Sequence, residues 1–184
     1  GRAVQLPNLS FTVLDTETGQ RIIMAAALVE TIAAKVKREL TVESTCKGTE
    51  LLGKRYLPPF DYFATDLPAG KAGLHKHKTH AWKVYGAEFV TMDSGTGIVH
   101  IAPAFGADDL ELAQREKIPL IHHVPDEGKF IATVRDFAGL SVKPKGNPRG
   151  TDQKIAARLE SKGLLYKKEK IKHSYPHCWR CDTP

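Results

Sequence analysis

Apolar and polar positions along the chain follow two periods in turn. Phe11-Thr12-Val13-Leu14 runs into the turn-rich Asp15-Thr16-Glu17-Thr18-Gly19, and Arg21-Ile22-Ile23-Met24-Ala25 resumes the apolar run, which predicts a hairpin. Leu28, Ile32, Val36 and Leu40 recur every four residues, as one face of a helix does, leaving Glu30, Lys35, Lys37 and Arg38 for water. Gly53 to Pro59 is turn-rich, and Pro58-Pro59 excludes a helix interior or a central strand there. Leu67 to His80 is small, basic and broken by Pro68, Gly70 and Gly73, so it reads as a loop. Trp82 to Met92 is the best strand candidate, and Ile98 to Ile101 is a second strand after a Gly-Thr-Gly turn. Asp108 to Lys117 and Thr151 to Lys162 read as helices, the second stopped by Gly163. Leu164 to Ile171 is expected to be a final strand. The mixture predicts an α+β fold, with strands in a barrel-like sheet and helices packed outside it.

Composition narrows this picture only slightly. A chain of 184 residues suits one domain, with or without appendages, and is long enough to bury a core. Hydrophobic residues at 41% and charged residues at 26% are ordinary for a globular protein, and no apolar run approaches the roughly 18 residues of a membrane span. Lys and Arg number 27 against 21 Asp and Glu, a net +6 that is compatible with a polyanionic partner without demanding one. The basic loop with Lys71, His75, Lys76, His77, Lys78 and His80 is where RNA backbone contacts would fall, although charge runs are more often solvated surface. The start, Gly1-Arg2-Ala3-Val4, has neither an initiator Met nor the apolar core of a signal peptide, and reads as an internal cut. Three cysteines do not make a secreted disulfide scaffold, so a reducing cytoplasm is the expectation.

The stretch that carries chemistry is Gly95-Thr96-Gly97-Ile98-Val99-His100-Ile101-Ala102-Pro103-Ala104-Phe105-Gly106-Ala107-Asp108-Asp109. Two glycines allow a tight turn that delivers a short strand bearing His100. Pro103 forces Ala102 into an extended conformation and ends the strand. Gly106 permits a left-handed or close-approach bend, and Asp108 and Asp109 open a helix. The expected result is a strand–loop–helix corner with an imidazole on one side, a carboxylate on the other and a small apolar loop between them, as a side-chain pocket requires. Each part also has a plainer reading. An Asp at a helix start is usually there for the cap or the macrodipole, and a His in a strand is more often a hydrogen-bonded core or rim residue. The Gly-Thr-Gly lacks the strand–GxGxxG–helix order of a phosphate-binding fingerprint.

This run closely resembles the second half of the editing pocket of isoleucyl-tRNA synthetases, class I aminoacyl-tRNA synthetases whose editing (connective peptide) domain is an insertion. The related runs of the valine and leucine enzymes carry another residue where His100 stands, so His100 favours the isoleucine family. Gly48-Thr49-Glu50-Leu51-Leu52-Gly53 with Tyr56 and Pro59-Phe60 resembles the family's GxELxGxxYxPPF segment. His173-Ser174-Tyr175-Pro176-His177-Cys178-Trp179-Arg180-Cys181 resembles the HSYPHCWRC at which the insertion rejoins the catalytic core. The resemblance implies an editing domain over residues 1–172 and a return strand over 173–184.

It also implies an activity. Isoleucine and valine differ by one methylene, which a pocket resolves by only about 1–3 kcal/mol, a magnitude for which this enzyme is itself the standard worked example. A second site must then hydrolyse misactivated or mischarged valine, as valyl-adenylate or as valyl ester on the acceptor end of tRNA(Ile). By resemblance Asp109 binds the α-ammonium group of the misattached amino acid, and His100 walls the pocket against isoleucine. As general base His100 ranks below that steric role. Ala102, Pro103, Ala104, Phe105 and Gly106 shape the remaining substrate surface. The family's Thr-rich TTTPWT segment has no counterpart in this chain, which implies weak or no hydrolysis by the chain alone. Neither metal nor covalent nucleophile is implied for the editing step. The partners implied are tRNA and the rest of the synthetase, with no membrane and a monomeric fragment.

Cys178 and Cys181 form one C-x-x-C, which supplies two of the four ligands of a closed structural zinc site. The family's partner pair lies before the editing insertion, so the resemblance implies a half-site that is empty here, with zinc and ATP/Mg belonging to the full-length enzyme. A thioredoxin-like role would need the motif at a helix start near βαβ units. Cys46 reads as an ordinary buried or semi-buried thiol. Two other functions remain open: a non-catalytic tRNA-binding module, and the valine enzyme's editing domain, which would clear threonyl products.

Overall fold

The computed structural model of the chain describes residues 2–4, 9–63, 80–92, 95–169 and 180. The chain separates into two compact units, Gly1–Pro58 with Leu67–Ile121, and Pro59–Asp66 with His122–Pro184. The basic loop at 71–80 lies outside the described residues except for His80, as do Cys178 and Cys181.

The first unit holds two three-stranded sheets. In one, β2 (Leu9–Asp15) pairs antiparallel with both β3 (Arg21–Ala25) and β4 (Leu40–Lys47). The predicted hairpin is therefore present. Its turn is closed by the Asp15 side chain, whose Oδ1 accepts from the amides of Glu17 and Thr18 at 3.1 Å each, with Gly19 at φ +69°. The helix α1 (Val29–Val36) buries Val29 and Ile32, but it ends one turn earlier than the four-residue spacing predicted. Lys37 adopts the left-handed conformation at φ 56°, and the chain reverses into β4. Leu40 thus begins a strand, and Arg38 reaches Asp15 rather than open water, its Nη1 donating to Oδ2 at 3.0 Å.

The other sheet has the order β5-β1-β6, with β1 (Arg2–Val4) central, parallel to β5 (Val84–Gly86) and antiparallel to β6 (Ile98–His100). The strand expected over Trp82–Met92 shrinks to the three residues that face β1. Beyond it, Ala87 and Val90 turn into a core with Ile101 and Leu112, against which Tyr85 and Phe89 pack. Leu112 belongs to α2 (Ala107–Glu116), within one residue of its predicted span at either end. The α+β class holds. Neither three-stranded sheet closes on itself among the described residues, so the barrel-like core is not confirmed.

The second unit packs Tyr62, Val134 and Phe137 with Phe60, Phe63, Phe130, Ile131, Leu140 and Ile155. Ile155 comes from α3 (Gly150–Ser161), the second predicted helix, followed by Gly163 at φ +66° as expected. Leu164 to Glu169 is irregular rather than a strand. Within this unit the described residues offer only an isolated bridge, Lys129 with Ser141, and no ladder for that segment to join. Among the described residues no helix is long and apolar enough to cross a membrane.

Candidate functional site

The Gly95-Thr96-Gly97 turn sets the position of the chemistry-bearing corner. Both glycines lie at φ +71°, a conformation that L side chains rarely adopt. Gly97 is also buried against β3: a Cβ there would lie 2.5 Å from the Ala25 Cβ. The Ala25 amide donates to the Thr96 carbonyl at 2.8 Å, so the end of β3 in one sheet fastens the turn that leads into the other. From this turn β6 runs antiparallel to β1, with Arg2 opposite His100. Ile101 follows, 2% exposed in the core, and anchors the end of the strand.

After Ile101 the chain makes a tight turn in which the Phe105 amide donates to the Ala102 carbonyl at 2.9 Å. Gly106 then caps α2 in an extended conformation, φ −151° and ψ 141°, rather than the left-handed one. The close approach anticipated there is present. A Cβ at Gly106 would stand 3.0 Å from Asp109 Oδ2. That same oxygen accepts the Ala102 amide at 3.0 Å, across seven residues of chain. Asp109 is therefore held in the first turn of α2, where the exposed peptide amides favour negative charge.

The structure brings Asp109, Ala102 and Gly106 into direct contact. His100 lies two residues before this contact, exposed at the end of β6. Pro103 and Ala104 are half-buried in the turn, and Phe105 is 51% exposed. A carboxylate has about four acceptor positions, and the bond to Ala102 occupies one. The corner thus holds an oriented carboxylate able to take a cationic donor, beside small half-buried side chains. A shallow depression of about 200 Å³ lies along α2, lined by Ala87, Glu88, Phe89, Asp108, Glu111, Leu112 and Arg115. The sequence reading did not anticipate it, because Ala87–Phe89 were assigned to a strand. Arg115 there donates to the Gly86 carbonyl at 3.0 Å.

No protein-family model matches the chain. The crystal structure of GlLeuRS-CP1 superposes with a TM-score of 0.51, covering 92% of this chain and 78% of that one at 16% identity, a likeness of fold alone. The fold is similar to that of a synthetase CP1 editing domain. Sequence relatives define the family. The chain is homologous to isoleucine–tRNA ligases, at 39% identity over 94% of its length with that of Bdellovibrio bacteriovorus and 42% over 90% with that of Clostridium acetobutylicum. It is 37% identical over 97% of its length to a probable cytoplasmic isoleucine–tRNA ligase of Dictyostelium discoideum. The chain spans about 15% of the length of these relatives, and so corresponds to a segment of such a ligase. This agrees with the family resemblance of its motifs.

Proposed function

We propose that this chain carries part of the hydrolytic proofreading site of an isoleucine–tRNA ligase, which removes valine misattached to tRNA(Ile) or held as valyl-adenylate. The observation that carries the reading is the Asp109 carboxylate, fixed at the start of α2 by the Ala102 amide and making no ion pair among the described residues. A carboxylate so oriented suits the α-ammonium group of an aminoacyl ester, because a charge-assisted hydrogen bond is shorter and stronger than a neutral one. His100 stands at the rim as a steric wall, and Ala102, Pro103 and Phe105 shape the side-chain surface. Water attacks the ester carbonyl carbon, the bond from that carbon to the ribose oxygen breaks, and a proton from the water ends on that oxygen. Valine and tRNA are released. Size exclusion of isoleucine provides the second sieve that one methylene of binding energy cannot supply.

The test is Asp109→Ala in the full-length ligase. A hydrogen bond to a charged group is worth about 1.5–3 kcal/mol, so hydrolysis of valyl-tRNA should fall by a factor of about 10 to 150. Affinity for tRNA should change little. Loss of tRNA binding with hydrolysis intact would instead support a non-catalytic RNA-binding module. Faster clearance of threonyl- than valyl-tRNA by the parent enzyme would point to valine-type editing.

A further inference from the structure

Gly106 is a glycine that its own backbone does not require. At φ −151° and ψ 141° it lies in extended space open to any residue. It is also the N-cap of α2, where Ser, Thr, Asn or Asp would ordinarily stabilise the helix, and no side chain caps that position. What glycine does provide is room. A Cβ would lie 3.0 Å from Asp109 Oδ2 and 3.2 Å from its Cγ. Few real Cβ atoms come so close to a neighbour, so the carboxylate would have to yield. The oxygen that would yield is the one holding the Ala102 amide at 3.0 Å.

We infer that Gly106 is a positioning residue, left without a side chain so that the Asp109 carboxylate can close on the Ala102 amide and present its remaining acceptors to the substrate ammonium. The inference rests on the role proposed for Asp109 and gives Gly106 a different part from that of a substrate contact. Pro103 disfavours the helical conformation at Ala102, the residue whose amide meets Asp109. With a Cβ at 106, the Asp109 carboxylate must give by a few tenths of an ångström, which lengthens its bond to Ala102 and loosens the grip on the ammonium although every charged group is still present.

The experiment uses the full-length ligase with Gly106→Ala, Asp109→Ala, Asp109→Asn and the Gly106→Ala/Asp109→Ala double variant. Two substrates are compared: valyl-tRNA, and its analogue with an α-hydroxyl in place of the ammonium. Gly106→Ala should lower kcat/KM for valyl-tRNA about tenfold, the loss of roughly one hydrogen bond to a charged group, and should spare the hydroxyl analogue. In the Asp109→Ala background it should add nothing further. Equal losses on both substrates, or additive losses in the double variant, would overturn the inference. Hydrogen–deuterium exchange of the peptide containing Ala102 supplies a readout independent of activity. Exchange should quicken in Gly106→Ala and Asp109→Ala and stay slow in Asp109→Asn, which keeps an acceptor. Unchanged protection in Gly106→Ala would sink the positioning role. If Asp109→Ala leaves valyl-tRNA hydrolysis intact, the editing reading falls, and with it the part of the inference that concerns the ammonium; the exchange result decides the rest.

Discussion

Asp15 and Asp109 both stand at turns in the same compact unit, and the two corners use a carboxylate in opposite ways. Asp15 is 0% exposed, and its own chain saturates it: Oδ1 takes the amides of Glu17 and Thr18, and Oδ2 takes the Arg38 guanidinium. Asp109 is half-buried and takes one amide, that of Ala102, across a turn of small residues. A carboxylate with its acceptors filled from all sides is a fastener, because removing any partner strands a charge in a dry place. A carboxylate pinned by one bond keeps an orientation while retaining capacity for something outside the chain. The degree of saturation, more than burial or position at a turn, separates the structural acid from the candidate functional one.

The largest effect that could break this comparison is on stability. Arg38→Ala leaves the Asp15 carboxylate buried without its cation, and breaking one side of such a pair costs about 3–5 kcal/mol. A urea-unfolding midpoint should fall accordingly. Asp109→Ala, measured in the same way, should cost about 1.5–3 kcal/mol, the value of one hydrogen bond to a charged group. Comparable losses at the two sites would show that Asp109 is a fastener as well, and the distinction would collapse.

These two corners also show where sequence reading stops. The hairpin, α2 and α3 were legible because their signals are local: a turn cluster between apolar runs, acidic residues opening a helix, a glycine closing one. The strand β4 was not legible, because most of Thr41 to Lys47 is solvent-exposed and shows no alternation of buried and open positions. The spacing that carried α1 on to Leu40 failed because Lys37 turns left-handed, a choice that long-range pairing of β4 with β2 dictates. The residues of the candidate site were visible as a motif, and family resemblance supplied their roles. Their contacts were not visible. Asp109 meets Ala102 across the turn that precedes α2, and Arg38 meets Asp15 across twenty-three residues, and neither contact lies within a single helix or strand.

A smaller effect sharpens the comparison at the turn that leads to the site. Gly95 and Gly97 share φ +71°, yet a Cβ at Gly95 meets nothing within 4 Å, whereas at Gly97 it meets the Ala25 Cβ at 2.5 Å. Gly95→Ala should cost about 1 kcal/mol for the left-handed backbone alone. Gly97→Ala carries that cost plus overpacking of about 1–3 kcal/mol. Only the second should also disturb valyl-tRNA hydrolysis, since it pushes the turn off β3. Equal midpoints for the two variants would mean that the fastening of Thr96 to Ala25 does not locate the corner.

The smallest effect concerns the second unit, where an acid again serves as a fastener. The Arg158 guanidinium, with its Nε 2.8 Å from Asp136 Oδ2, holds the Asp136 carboxyl below its ordinary 3.8. The stability this contributes is present above pH 4 and is lost as pH falls through the lowered value. Tyr62 is the alkaline counterpart. Burial first, and then the Asp136 carboxylate, push its hydroxyl up from 10 to about 12, although the hydroxyl makes no well-formed hydrogen bond. An unfolded chain releases this proton near pH 10, while the folded unit holds it to about 12. The contribution is therefore complete below pH 10 and disappears as pH rises to 12. Burial also raises Tyr56 and Tyr85, so the parent loses stability above pH 10 at more than one site. Tyr62→Phe should leave the neutral-pH midpoint within about 1 kcal/mol of the parent, because the hydroxyl it removes is unsatisfied. It should make the alkaline decline measurably shallower without abolishing it. A decline of unchanged slope would show that Tyr62 ionises as freely in the folded unit as in the unfolded chain, and that Asp136 has no partner there besides Arg158.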